Sequence, residues 1–249
     1  MVKIVIRGSS GKMGRVIADI VSARTDCTVI AGVDVNPVKY SDFTVYTKLT
    51  DLPEVPDVVI DFTNHAYLDD LLDYCLTNGV ALVAATTGYT PEQVAKIKSS
   101  AAQIPIFFTA NMSLGINLLS ELANRAAAVL GDQFDVEIVE RHHNQKLDAP
   151  SGTALMLADS INEARGEKYS YTYDRHSVRR KRDPSEIGIH SVRGGTIVGD
   201  HEIIFAGRDE VITLSHSAAS KEVFAVGAVN AAVFISRKAP GLYTMSDLL

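Results

Sequence analysis

Two adjacent histidines, a lysine and a Pro-Ser-Gly-Thr run share one short stretch of this chain, between Glu137 and Ala154. Imidazole titrates near neutrality, so His142 and His143 are candidate proton carriers. Near a carboxylate or an imine, Lys146 becomes a cation or a proton donor. Pro150-Ser151-Gly152-Thr153 precedes the apolar run Ala154-Leu155-Met156-Leu157-Ala158, which predicts a helix opened by Ser151 as its N-cap. The backbone N–H groups around Ser151, Gly152 and Thr153 would then cradle an anion such as a substrate carboxylate. In an extended chain His142 and His143 point to opposite faces, which makes a two-histidine metal site awkward. No metal-ligand spacing joins them to His190, His201 or His216, so no metal is expected.

A second constellation lies at the N-terminus. Gly8-Ser9-Ser10-Gly11-Lys12-Met13-Gly14 follows the apolar run Val2 to Ile6 and opens a segment with Met13, Val16, Ile17, Ile20 and Val21 on one helical face. Glycines at such a turn permit tight bending, close approach of a pyrophosphate, and close helix–strand packing. The helix N-terminus favours the phosphate charge. Asp34 ends the next apolar run, where a carboxylate can accept hydrogen bonds from an adenosine ribose. A carboxylate there repels a 2′-phosphate, and Val35 follows rather than a basic residue. The cofactor reading is therefore NADH or NADPH, with NADH favoured, although Lys12 and Lys39 could receive a 2′-phosphate. Thr86-Thr87-Gly88 and Thr109-Ala110-Asn111-Met112 each follow a predicted strand, and strand carboxyl ends face the ligand crevice in parallel sheets.

The elements that must hold these residues can be read from periodicity. Strands at Val2–Ile6, Thr28–Val33, Val58–Asp61, Val80–Ala84 and Ile106–Phe108 alternate with helices, one of them opened by Pro91. That pattern predicts an α/β domain, a Rossmann-like doubly wound parallel sheet. After Asn111 the texture changes. A long helix covers Leu114 to Leu130, Phe134 to Arg141 alternates like a strand, and Ile187 to Ser217 holds several strands with Gly-rich turns. These predict a C-terminal α+β domain with an open mixed sheet. Val223 to Ile235 reads as a helix returning to the first domain. The expected division is 1–112 with 223–249 as the dinucleotide-binding domain, and 113–222 as the substrate-binding and oligomerisation domain. Hydride transfer suits a cleft between two domains, with Asn111-Met112 as the expected hinge. Gly166 to Asp183 reads as a mobile polar loop, and Arg179-Arg180-Lys181-Arg182 within it as a solvated charge run.

Bulk properties narrow the class. The chain has 249 residues, 46% hydrophobic, with a net charge of −6. The acidic balance argues against a general nucleic-acid footprint. No apolar run is long enough to span a bilayer. Cys27 and Cys75 do not form a disulfide framework, which with the absence of a signal-peptide layout points to the cytoplasm. Neither cysteine has a catalytic setting.

The segment Glu140-Arg141-His142-His143-Asn144-Gln145-Lys146-Leu147-Asp148-Ala149-Pro150-Ser151-Gly152-Thr153-Ala154 resembles the signature of the dihydrodipicolinate reductases. The Gly8 to Gly14 turn, Ile60-Asp61-Phe62-Thr63, Thr86-Thr87-Gly88, Ala110 to Gly115 and Arg193 to His201 resemble the same family, in order along nearly the whole chain. The resemblance implies an oxidoreductase of the diaminopimelate route to lysine. In that family a nicotinamide cofactor (NAD or NADP) delivers hydride to a small cyclic dicarboxylate. It implies His142 as proton donor or acceptor, Lys146 as proton donor, His143 in contact with substrate, and Gly152 with Thr153 on a carboxylate. It implies that Gly8, Ser9, Ser10, Gly11, Lys12, Met13, Asp34, Ala85, Thr86, Thr87, Thr109, Ala110, Asn111 and Met112 line the cofactor site. A homotetramer built through the C-terminal domains is implied as well. Lys12 and Lys221 stand where arginine is frequent, and Ala85 where glycine is frequent. Two rival readings remain: a two-domain dehydrogenase of another small molecule, which leaves the His-His-Lys-Ser-Gly-Thr run unexplained, and a non-catalytic nucleotide sensor.

Overall fold

A computed structural model describes residues 1–248, which divide into two compact units, Met1–Ser113 together with the segment from Glu222 on, and Leu114–Lys221. The first unit is built on β1 (Val2–Arg7), α1 (Lys12–Ser22), β2 (Cys27–Val33), β3 (Thr44–Tyr46), β4 (Val58–Asp61), α2 (Leu68–Asn78), β5 (Ala81–Ala84), α3 (Pro91–Ser100) and β6 (Pro105–Phe108). α6 (Glu222–Ile235) and β12 (Gly241–Tyr243) complete it from the far end of the chain. The seven strands are all parallel, in the order β12-β6-β5-β4-β1-β2-β3.

The sequence explains this arrangement. Ile4 and Ile6 face one layer and Val5 the other, all fully buried, so β1 reads as an unbroken apolar run. α1 buries Gly14, Ile17, Ala18 and Val21, and α6 buries seven small or apolar residues against α1, β4, β5 and β6. α2 contributes Leu68, Leu71, Leu72 and Cys75 to the opposite layer, and α3 contributes Ile97. A capping box at Thr90 and Gln93, with Pro91 at the first position, fixes where α3 starts. The strand order reverses between β1 and β4, so their carboxyl ends flank the crevice where ligands bind in such sheets. Arg7 and Asp61 sit there side by side in register.

The second unit holds α4 (Leu114–Leu130), β7 (Asp135–His142), α5 (Gly152–Ala164), β8 (Ser170–Thr172), β9 (Glu186–Arg193), β10 (Gly199–Ala206) and β11 (Val211–Ala218). Its sheet is mixed, in the order β11-β10-β7-β9-β8. β10 is antiparallel to both neighbours, while β7, β9 and β8 run parallel. One face is covered by α4 and α5 through Leu119, Ala123, Leu157 and Ile161 packed on Val136, Ile138, Ile187 and Ile203.

The segment from Gly166 to Asp183 departs from the mobile, solvated loop expected of it. Ser170–Thr172 adds an edge strand to β9. Arg182 pairs with Asp135 at 2.8 Å and with Glu137 at 3.0 Å. Arg175 pairs with Glu137 at 2.6 Å and with the buried Glu186. Burial alone would raise the Glu186 carboxyl, but Arg175 and Thr172 hold it below the usual carboxylate range. Gly188 makes room for this network, since a Cβ there would lie 1.8 Å from Glu137 Oε2. Arg179, Arg180 and Lys181 are exposed, as a charge run should be.

Candidate active site

In the first unit the chain leaves β1 through Gly8, at φ +85°, where a Cβ would lie 2.7 Å from the Phe62 carbonyl. Gly14 lies so close beneath the turn that its Cβ would meet Gly8 O at 2.4 Å. Only glycine fits either place. The turn is largely self-satisfied: Gly8 and Ser9 N–H donate to Val33 O, and Gly11 N–H to Gly8 O. Ser10 N–H donates to Asp34 Oδ2 at 3.0 Å, and Asn36 N–H to Asp34 Oδ1 at 3.0 Å. The amides that open α1, at Lys12 and Met13, have no intrahelical acceptor and are suited to hold a phosphate.

Beside this turn is a cavity of about 870 Å³, lined among others by Gly8, Gly11, Asp34, Val35, Lys48 and Tyr67. A carboxylate oxygen can accept more than one hydrogen bond, so Asp34 braces the turn and still faces the cavity. The strained glycine, the helix opening and the acid-edged cavity fit a dinucleotide. Ser9 does not face the cavity through its side chain, because its Oγ is buried without a hydrogen-bond partner.

Thr86 is buried and committed to the protein: its hydroxyl donates to Asp61 Oδ2 at 2.7 Å and accepts from Thr63 N–H at 2.9 Å. Asp61 Oδ1 takes the Thr63 hydroxyl at 2.7 Å and Arg7 at 3.3 Å. Thr87 is exposed, and Ala85 packs on the core. Thr109 Oγ1 donates to Asn111 O at 3.4 Å, Asn111 Oδ1 accepts from Ser113 N–H at 2.8 Å, and Ala110 is exposed. The Met112 side chain is buried in the core, which leaves its backbone for any ligand contact.

The second unit gathers the proton carriers. β7 alternates, so Val136, Ile138, Glu140 and His142 share its buried face. His142 Nδ1 lies 2.6 Å from Glu140 Oε2. Arg193 grips the same carboxylate with two hydrogen bonds of 2.7 Å. Ser151 N–H donates to Glu140 Oε1 at 3.1 Å, while Ser151 Oγ caps α5 by accepting from Ala154 N–H. His201 Nε2 lies 3.2 Å from that Oγ, and the His201 ring meets His142 edge-on at 5.2 Å. Glu140, Ser151, His201 and His142 thus form a closed ring of contacts. Gly152 stands exposed at the opening of α5.

Just beyond β7, Lys146 N–H donates to His143 O, closing a turn that holds the half-buried His143 and Lys146 beside His142. Lys146 Nζ pairs with Asp148 at 2.9 Å. That bond holds the Asp148 carboxyl below its usual range. Burial would raise the Glu140 carboxyl, but Arg193 and His142 overcome it and hold it at about 2. Among the described residues no three His, Cys, Asp or Glu side chains gather into a metal site.

Burial, and then the adjacent His142, push the His201 imidazole down to about 4. Unfolded, it would titrate near its ordinary value of about 6.5, so between these values the unfolded chain binds more protons. Folding stability therefore rises with pH across that window and is lost as pH falls from about 6.5 to about 4. Urea midpoints measured across it should fall with acidification, and His201→Gln should flatten the fall. An unchanged slope would remove His201 as its origin.

Glu140, Arg193 and His201 stand within the sequence motifs but carry no role that spacing alone reveals. One signal was available: a carboxylate on an apolar strand face requires buried partners.

Comparison with known proteins places this geometry. Residues 2–112 match the family model for the dihydrodipicolinate reductase N-terminus, and residues 115–249 the model for its C-terminus. The 4-hydroxy-tetrahydrodipicolinate reductase of Caldanaerobacter subterraneus subsp. tengcongensis is 51% identical over 249 residues, covering 100% of this chain and 98% of that one. A dipicolinate-bound dihydrodipicolinate reductase from Paenisporosarcina sp. TG-14 superposes with a TM-score of 0.83 at 29% identity, covering 100% of both chains. A DAP dehydrogenase of C. glutamicum, in complex with DAP, shares the fold at a TM-score of 0.58 and 12% identity, covering 98% of this chain and 92% of that one.

Proposed function

The chain belongs to the dihydrodipicolinate reductase family, and from that premise we propose that it reduces 4-hydroxy-tetrahydrodipicolinate to tetrahydrodipicolinate with a pyridine nucleotide. The reaction belongs to lysine synthesis through diaminopimelate. The observation that carries the reading is the cluster of His142, His143 and Lys146 beside the opening of α5, all braced within one unit.

Substrate and product differ by one hydroxyl replaced by hydrogen, so the site must manage a proton as the oxygen leaves as water. When bound, the nicotinamide supplies the hydride. Lys146 is the proton donor, and His142 gives or takes a proton at the ring nitrogen not held by Glu140. The N-terminus of α5 at Gly152 and Thr153 takes a substrate carboxylate, with Ser151 fixing the helix start and His143 contacting the ring. Nucleotide binding is assigned to the first unit, through the α1 opening, Asp34, and the segments Ala85–Thr87 and Thr109–Met112. Substrate binding and subunit contacts are assigned to Leu114–Lys221, as a cytoplasmic homotetramer. A mass in solution of four chains of 26.9 kDa is the corresponding expectation.

The test is a coupled assay. Pyruvate, aspartate semialdehyde and the upstream synthase generate the unstable substrate in place, and loss of reduced-nucleotide absorbance is followed. Synthase-dependent oxidation supports the reading. Nucleotide binding without oxidation would return the chain to the two rival readings, a dehydrogenase of another small molecule or a sensor.

NADH is the favoured cofactor. Both Asp34 oxygens are fixed by backbone amides at the cavity edge, where they repel a 2′-phosphate. Asp34→Ser should shift the kcat/KM ratio toward NADPH by about tenfold or more, the scale of one lost charge repulsion of about 1.4 kcal/mol. A ratio that stays constant would remove Asp34 as the discriminator.

A further inference from the structure

Four N–H directions converge on one buried carboxylate. Glu140 is fully buried. Its Oε2 meets His142 Nδ1 at 2.6 Å and one Arg193 nitrogen at 2.7 Å. Its Oε1 meets the other Arg193 nitrogen at 2.7 Å and Ser151 N–H at 3.1 Å. An ionised carboxylate only accepts, so His142 Nδ1 must carry the proton. The exchanging nitrogen is then Nε2, which faces Gly199, where a Cβ would lie 3.1 Å away. Arg193 also donates to Asp148 O, anchoring the clamp to the segment that carries Lys146.

We propose that Glu140, clamped by Arg193, is the positioning residue of the reaction: it fixes His142 with Nδ1 protonated and Nε2 free to exchange, and ties it to the anion cradle through Ser151. Neither Glu140 nor Arg193 needs to touch substrate for this. The inference rests on the reductase reading, and it adds a reason why the acid–base histidine and the carboxylate site stay in register. Across the sheet, β10 places His201 opposite Glu140 and β9 places Arg193 opposite His142. The clamp is thus set by strand pairing and not by the loop it restrains.

Glu140→Gln supplies one acceptor oxygen where the site presents several donors. The oxygen goes to Arg193 and Ser151 N–H, and the amide NH₂ is left facing His142. The imidazole must then accept at Nδ1 and carry its proton on Nε2. Two readouts follow. Ring ¹⁵N shifts of His142 should show Nδ1 protonated in the native protein and unprotonated in Glu140→Gln. The kcat should fall about 100-fold while KM and dipicolinate affinity stay within about threefold. Wild-type kcat in Glu140→Gln, or an unchanged tautomer, would overturn the proposal.

Should Glu140→Gln fail to fold, Arg193→Lys keeps the charge and loses the planar fork. It should lower kcat about tenfold with KM unmoved. Full activity in that variant would equally overturn the proposal. The ¹⁵N measurement on the native protein needs no substrate. Absence of turnover in the native protein would therefore refute the reductase reading, and a native His142 protonated on Nε2 alone would refute this one.

Discussion

Replacing Lys146 by alanine should lower kcat by about 10²- to 10⁴-fold, the range that a positioned proton donor supplies. The protein should otherwise survive the change. Lys146 is only partly buried and its partner Asp148 is 57% exposed, so no charge is stranded in the core. Nucleotide binding, followed by quenching or enhancement of reduced-nucleotide fluorescence, should be unaltered, because the glycine turn and Asp34 belong to the other unit. Equal losses of binding and turnover would mean that Lys146 shapes the nucleotide site instead. No loss of either would remove Lys146 as the proton donor and favour a different reaction.

Asp61→Ala should have the largest effect on stability. Asp61 is 1% exposed and receives Arg7, Thr63 and Thr86. Removing it leaves the guanidinium buried at the end of β1 with only the Tyr67 carbonyl among the bonds described. Breaking a buried pair in this way costs about 3–5 kcal/mol. At about 2–4 °C per kcal/mol for a chain of this size, the melting temperature should drop by roughly 10 °C. Nucleotide affinity should fall with it, because Thr86 and the Gly8 turn lose their shared anchor. A melting temperature within about 2 °C of the native value would show that the pair contributes little net stability.

Much of this architecture was legible because long elements carry their periodicity. The helix Leu114–Leu130 and the alternation through β7 stand where the pattern places them. The glycine turn was legible for another reason: Gly8 and Gly14 are required by backbone approach, which no other residue permits. β3, β8 and β12 were not legible, since three residues are too few to show a period of two. Arg182 was read as solvated because the acids that claim it, Asp135 and Glu137, lie far away in sequence on β7. The same limit hid the clamp on His142. Glu140 and Arg193 meet only because β9 pairs with β7, and strand order is a property of the whole unit and not of either segment. Thr86 shows the converse. Its position after a strand suggests a ligand contact, and because its hydroxyl bonds Asp61 such a contact falls to its backbone.

The seven-stranded sheet is assembled from both ends of the chain, and this has a consequence for how the protein is made. When the first 113 residues have left the ribosome, the layer that packs on β4, β5 and β6 from α6 is still untranslated, as is the strand that seals β6. The nascent sheet therefore shows an apolar face and an open edge while the whole of Leu114–Lys221 is being synthesised. That middle unit is continuous in sequence and can close around its own core first. The part begun first is thus completed last, and its apolar face and open edge stay uncovered until α6 and β12 have been made, an interval that faster translation shortens.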